Sequence, residues 1–293
     1  MNRALTRSIA AFSALLLFSV AAIAQTYTIR LHHPEIVGSR YHLSATASES
    51  TEVNMLAGEK TVKTITSGFT LEFSADVTVL AINPAGWATR KLFVIGSSKL
   101  VEGETAGPLL PAGTTVLVSI ENGETVYHVD GKLLADPITA HLKSVIDLHV
   151  AGVDDDELIG TTIPKAVGES WNINAVAVTK LMEELGARLD HARISGESSL
   201  ENADATHISI RSSFRVTNAP MPLPGLTTES GDFETEILER VPLKSTDLSG
   251  NGTHRILIRM IGKGPSAANG AEIKFTMQVE SGERYEVTPL RKH

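Results

Sequence analysis

Phe69-Thr70-Leu71-Glu72-Phe73-Ser74-Ala75-Asp76-Val77-Thr78-Val79-Leu80-Ala81 decides the fold. Apolar side chains stand at 69, 71, 73, 75, 77, 79 and 81, with Thr70, Glu72, Ser74, Asp76 and Thr78 between them. A period of two places alternate side chains on opposite faces, so one face of this strand is buried and the other is wet. The run far exceeds the usual strand of about 5–6 residues. Strands that long twist and coil, so the sheet they build is curved.

The pattern recurs outward from this segment. Ile208, Ile210, Phe214 and Val216 alternate with His207, Ser209, Arg211, Ser213 and Arg215. Ile273, Phe275, Met277 and Val279 alternate with Lys274, Thr276, Gln278 and Glu280. Val116, Val118 and Ile120 form a shorter run, and Ile256, Ile258 and Met260 another. Turn sequences lie between them: Asn83-Pro84-Ala85-Gly86, Asn122-Gly123, Asp130-Gly131, Gly250-Asn251-Gly252 and Ser281-Gly282. Each predicts a tight link between neighbouring strands, hence antiparallel pairing. Two segments carry helical spacing instead. Asp136-Pro137 precedes Ile138, Leu142, Val145 and Ile146, and Val178, Leu181, Met182 and Leu185 run up to a stop at Gly186. The expected fold is mainly β: a long, curved antiparallel sheet, either an open half-barrel or two related β lobes, with one or two short covering helices.

The N-terminus reads as a targeting segment. Arg3 and Arg7 precede an apolar run from Ile9 to Ala22, and Ala22-Ile23-Ala24 offers a small-x-small cleavage site before Gln25. The run is shorter than the roughly 20 apolar residues of a membrane span, and no later segment is long or apolar enough to cross. The expected organisation is a cleaved signal over 1–24, an N-terminal β lobe over 25–135, and a helical and loop connection over 136–166. A C-terminal β lobe follows over 167–293, with a short helix near 175–186. The chain is expected to be exported, to the periplasm or the extracellular space, and soluble after cleavage.

Val37-Gly38-Ser39-Arg40-Tyr41-His42-Leu43 echoes Val167-Gly168-Glu169-Ser170-Trp171-Asn172-Ile173, and Leu109 to Thr114 loosely echoes Leu223 to Thr227. A duplication would produce such pairs, and so would any two strands that open after a glycine turn. The recurring Gly-x-x-aromatic openings are followed, in the first half, by Leu110 to Val118, Asn122-Gly123 and Val126 to Val129. This order resembles a broad group of exported bacterial β-rich proteins of unknown function. The resemblance implies no activity.

Composition closes several routes. The 293 residues include no cysteine, so disulfides, thiolate chemistry, Cys-ligated zinc and a lipid-modified N-terminal Cys are excluded. Stability rests on the core, and a chain this long buries enough surface to supply one. A formal net charge of −8 without a basic run makes nucleic acid and anionic lipid poor partners.

Motifs of chemistry are sparse. Gly196-Glu197-Ser198-Ser199-Leu200 lacks the closing glycine of a nucleophile elbow, and Gly262-Lys263-Gly264-Pro265 has the wrong spacing for a phosphate loop. In His32-His33-Pro34-Glu35, extended geometry would put His33 and Glu35 on one side and His32 on the other, so His33 and Glu35 are the candidate metal ligands, against a solvated segment. His141 and His149 flank Asp147 at too great a helical separation to share an ion. Asp154-Asp155-Asp156-Glu157 lacks calcium-loop spacing and suits a solvated loop or a helix start. Asn251-Gly252-Thr253 fits a glycosylation pattern and equally a plain turn. In Asn218-Ala219-Pro220-Met221-Pro222-Leu223-Pro224-Gly225-Leu226, alternate prolines stiffen the path. Met221, Leu223 and Leu226 are the candidate ligand-binding residues, against simple packing onto the core.

Three functions remain open from sequence. The first is a non-catalytic exported protein that binds an apolar, lipid-like molecule or an envelope partner, with no cofactor. The second is an extracellular hydrolase assembled from distant residues such as His128 and His207. The third is a structural or assembly module.

Overall fold

The computed structural model describes residues 25–150, 152–190, 192–265 and 272–290. The expected signal over 1–24, with Ala22 and Ala24, lies outside them, and Gln25 is the first described residue.

The fold is mainly β, built on one long antiparallel sheet that does not close into a barrel. After β1 (Thr26–Ile29) come β2 (Arg40–Ala57), β3 (Lys60–Ile82), β4 (Ala88–Glu102), β5 (Thr105–Pro108), β6 (Thr115–Glu121), β7 (Glu124–Val129) and β8 (Lys132–Leu133). The connection carries α1 (Ile138–Lys143), α2 (Asp155–Ile159) and β9 (Thr161–Ala166). The second half holds β10 (Ser170–Asn172), α3 (Ala175–Glu184), β11 (Arg193–Ala203), β12 (His207–Thr217), β13 (Thr227–Pro242), β14 (Gly250–Pro265) and β15 (Glu272–Pro289). The strand order is β10-β11-β12-β13-β14-β15-β2-β3-β4-β6-β7-β8, with β5 on β4 and a separate β1–β9 pair. The last strand therefore pairs with the second one, from Lys274 opposite Leu56 to Pro289 opposite Tyr41, and makes the two halves one sheet.

Residues opposite one another on antiparallel strands share a face, so the register gives the inner surface row by row. One row runs Leu200, Ile210, Glu239, Gly252, Tyr285, Ala45, Phe73 and Ser98. The opening sequence segment lies within β3, where Leu71, Phe73, Ala75, Val77 and Val79 are all buried. The outer face is charged. Arg255 pairs with Glu280 at 2.7 Å, Arg259 with Glu234 at 2.9 Å, and Arg211 bridges Glu201 and Glu236.

Each half has its own cover. In the first, Leu142, Val145, Ile146 and Leu148 from α1 and the chain after it pack on Phe73, Val77, Phe93 and Val118. The Tyr127 hydroxyl anchors that cover by donating to the Ile146 carbonyl at 2.5 Å. In the second, Leu158 and Ile159 of α2 and Val178 and Met182 of α3 pack on Phe214, Phe233 and Ile237. The Trp171 indole N–H anchors this one, donating to the Ile159 carbonyl at 2.8 Å. Strand β1 brings Ile29 against Leu200, Ile208, Ile210 and Val241.

Several local expectations need correction. Asn122-Gly123 and Asp130-Gly131 are hairpin turns with both residues at positive φ (53° and 82°, 51° and 72°), the geometry that matches strand twist. Gly250-Asn251-Gly252 and Ser281-Gly282 are not turns; they lie inside β14 and β15. Gly252 is there for space. A Cβ on it would stand 2.5 Å from Glu239 Oε1 and 2.7 Å from the Tyr285 ring. Pro137 is the residue preceding α1, it offers no side-chain cap, and Asp136 accepts from the Thr139 hydroxyl instead. The helix at 155–159 was legible only as a helix-start reading of its acidic run. Gly38 and Gly168 each close a turn, through Ser39 N–H to Ile36 O and Glu169 N–H to Ala166 O at 3.0 Å each, just before β2 and β10.

Replacing Gly252 with alanine is expected to destabilise the protein by about 1–3 kcal/mol, because the new methyl displaces two packed neighbours. The shift of the urea unfolding midpoint measures it.

Candidate functional site

The two covers do not meet over the middle of the sheet. Between them, on the inner face, lie two overlapping hollows of about 320 and 500 Å³. They share Tyr41, Trp87, Lys91, Asp155 and Tyr285. Lys91 is on β4 in phase with Phe93 and Ile95, and Tyr285 is on β15 in phase with Met277 and Val279. Polar side chains thus occupy positions whose phase points inward, where an apolar residue would have filled the core.

The buried carboxylate among such positions is Glu239, 7% exposed, on β13 in phase with Phe233, Ile237 and Val241. A buried carboxylate must be bonded to be tolerated. Its Oε1 stands 2.5 Å from His254 Nε2, and its Oε2 accepts from the Tyr285 hydroxyl. The next row runs Ile237, His254, Glu283 and Ala47, so a second carboxylate lies opposite the imidazole. From above, the first turn of α2 adds Asp155. Neither Glu283 nor Asp155 accepts a hydrogen bond or joins an ion pair among the described residues.

Charge states follow from this arrangement. Burial works against the charged His254 ring, but Glu239, Glu283 and Asp155 outweigh it and raise its pKa. Glu283 is pushed up by its enclosure and further by Glu239, against the opposing pull of His254. Asp155 is open to solvent but set deep in the cleft. Enclosure by protein and then Glu239, Asp154 and Asp156 raise it, with His254 opposing. Burial, the Glu239 charge and its hydrogen bond hold the Tyr285 phenol well above its ordinary value.

On the other wall, Lys91 Nζ pairs with Glu35 Oε1 at 2.9 Å and lies 5.8 Å from the Tyr41 ring centre. Desolvation disfavours its charge, but Tyr41 and Glu35 outweigh it and the pKa rises. At the rim the Trp87 indole is sandwiched between His32, with ring centres 3.5 Å apart, and His149 at 4.2 Å.

The sequence candidates fall in different places. His33 and Glu35 both line the cleft, but His32 lines it too. Residues 30–35 form no strand, so the alternation that would have separated the histidines does not apply. Glu35 is engaged by Lys91 and by the Ala88 N–H at 3.1 Å, and burial lowers the His33 pKa. Among the described residues, no group of three or more His, Asp or Glu is arranged to hold a metal ion. Met221 is buried in the second core and its carbonyl accepts from Thr228 Oγ1 at 2.7 Å. Leu223 packs against the same core, and Leu226 is bridged to it and 41% exposed. All three stand apart from the cleft. The acidic run divides its work: Asp154 caps α2 through the Glu157 N–H at 2.7 Å, Asp156 holds the Leu31 N–H at 2.6 Å, and Asp155 faces the cleft.

The histidines considered for hydrolysis are not brought together. His207 Nε2 meets Ser249 Oγ at 2.9 Å and its Nδ1 meets Thr206 Oγ1 at 2.8 Å, so neither ring nitrogen meets a carboxylate; Asp204 is held by the His207 backbone N–H instead. His254 has its carboxylate but no serine. His128 lies on β7, far along the strand order from β12. No described histidine joins a serine to a carboxylate.

No family model matches the chain, and no curated protein matches it. Among solved structures, a lipovitellin structure concerned with lipid–protein interactions aligns with 88% of this chain at 8% identity and a TM-score of 0.34. This chain spans about a quarter (26%) of that one. An outer membrane channel from Pseudomonas putida F1 aligns over 89% of this chain and 99% of its own, at 9% identity and TM-score 0.22. Pseudomonas aeruginosa OpdQ aligns over 86% and 97%, at 7% and 0.18. Overlays this loose share little beyond extended antiparallel strands.

A raised carboxylate pKa means that the ionised form is penalised by folding; the penalty is present above the folded pKa and relieved as pH falls through it. A raised histidine pKa contributes stability that is present below the unfolded value and lost as pH rises through the folded one. Glu283, Asp155 and His254 therefore act in the same direction, and stability is expected to rise as pH falls from about 8 to about 5. Glu283→Gln is expected to raise the melting temperature at the alkaline end, with the gap to the parent closing at the acid end. Thermal melts across that range read both.

Proposed function

We propose that this chain is an exported, non-catalytic protein that binds a small amphiphilic molecule on the uncovered middle of its sheet. The observation that carries the reading is a strip of half-exposed apolar side chains continuing directly from the polar cleft. Along β14 and β15 the inner-face rows proceed from His254 and Glu283 to Ile256 and Ser281, then Ile258 and Val279, then Met260 and Met277. Same-face rows lie about 7 Å apart, so the apolar part extends about 14 Å. Ile256, Ile258, Val279 and Met277 all retain solvent access, and the adjoining strands add Val53 and Ile65, the latter 40% exposed. A molecule with an apolar tail and a polar end would match both parts of this surface.

Export is supported by Arg3, Arg7, the apolar run and Ala22-Ile23-Ala24. Among the described residues no helix is long and apolar enough to cross a membrane. The charges on the outer face favour water there, since Arg or Lys on a lipid-facing strand costs about 2–4 kcal/mol at the bilayer midplane. A hydrolase reading lacks a joined serine, histidine and carboxylate, and the short edge strands β8 and β10 give assembly by edge pairing little to hold.

The uncharged apolar dye Nile red is expected to brighten on binding the purified chain, and an organic extract of the protein is expected to yield a co-purifying amphiphile by mass spectrometry. Ile258→Ser combined with Val279→Ser is expected to weaken dye binding about tenfold, the scale of two lost apolar contacts. Absence of both dye binding and an extractable molecule would overturn the reading.

A further inference from the structure

The geometry points to a cationic head group, an ammonium or quaternary ammonium, as the polar end of the amphiphile; this inference rests on the amphiphile-binding reading above. The warrant is the charge pairing in the cleft. Three of its cationic side chains already have a carboxylate: Lys91 has Glu35 at 2.9 Å, Arg240 has Asp204 at 2.8 Å, and His254 has Glu239 at 2.5 Å. Lys143 at the rim is the one lining lysine or arginine without such a partner among the described residues.

The remaining carboxylates outnumber it. Among the described residues Asp155 and Glu283 accept nothing; Glu283 lies where the apolar strip meets the cleft, Asp155 lines both hollows, and His254 is the cation nearby that they share with Glu239. Asp147 is bonded only to neutral donors, Thr125 Oγ1 at 2.7 Å and the Leu148 N–H at 2.8 Å. Asp154 is likewise held by a neutral group, the Glu157 N–H. Neutral donors bond a carboxylate but leave its charge uncancelled, so the cleft carries an excess of negative charge in partly enclosed surroundings.

Aromatic rings complete the site. The Tyr41 and Tyr285 rings wall both hollows, and Tyr41 already holds one ammonium, that of Lys91, near its face. Carboxylates without cations beside aromatic rings are the chemistry that recognises alkylammonium groups. An anionic head would meet Glu283, Asp155 and Asp147 with Lys143 alone to offset them. A sugar or alcohol head would leave the excess charge in place.

The test uses three amphiphiles with the same ten-carbon alkyl tail and different heads, each below its micelle concentration: decyltrimethylammonium, undecanoate and the uncharged decyl maltoside. Isothermal titration of the full chain from Gln25 onward is expected to give an order with the ammonium tightest, about tenfold ahead of undecanoate. In Glu283→Gln and in Asp155→Asn, the ratio of ammonium to maltoside affinity is expected to fall about fivefold, with circular dichroism reporting the fold of each variant. If undecanoate binds as well as the ammonium, or neither variant changes the ratio, the head-group inference is overturned while amphiphile binding stands. If none of the three binds, the amphiphile reading fails and takes the inference with it.

Discussion

A sheet that is apolar on one face must find something to lie against that face, and the rest of this protein follows from how unevenly that need is met. The connection between the halves folds α1 onto one flank, while α2, α3 and the Met221 loop cover the other. Among the described residues the two covers stay separate over the centre, where β14, β15 and β2 run side by side and Ile256, Ile258, Val279 and Met277 keep solvent access. Polar side chains occupy one end of that uncovered zone and half-exposed apolar ones the other. The cleft is thus the place where the sheet is longer than its covers, walled at its rim by the chain segments at 31–35 and 147–149.

Much of this was legible in the sequence because alternation is a local signal. Phe69 to Ala81 showed its strand and its buried face directly, as did His207 to Val216. The helix at Ala175–Glu184 was legible from four apolar positions and a terminal glycine. What failed was the reading of glycines. Gly252 and Ser281-Gly282 look like turn residues, yet they continue strands, and Gly252 exists for the side chains that crowd against it from neighbouring strands. Close approach is decided between segments remote in sequence, so no local pattern carries it.

The site was hidden for a related reason. Glu239 forms no recognisable motif with its neighbours in the chain. Its partners, His254 and Tyr285, stand 15 and 46 residues further on, on two other strands. One local signal does exist. Glu239, His254, Glu283, Tyr285 and Lys91 each occupy the apolar phase of a strand otherwise alternating in the ordinary way. A polar residue in the inward phase is costly unless partnered, and five of them on strands of one sheet mark a common surface.

The pairing of β15 with β2 also sets an order of events in folding. Tyr41 lies opposite Pro289, so this ladder closes a loop spanning most of the chain. Contacts so distant in sequence are slow to form, because the entropy of closure is lost before the ladder returns anything. During synthesis the first half emerges with one edge of β2 unpaired, and that edge stays open until β15 is released. An open edge is a template for another chain. The protein is therefore most prone to aggregate before β15 emerges, and Glu272–Pro289 is the closing strand that removes the hazard.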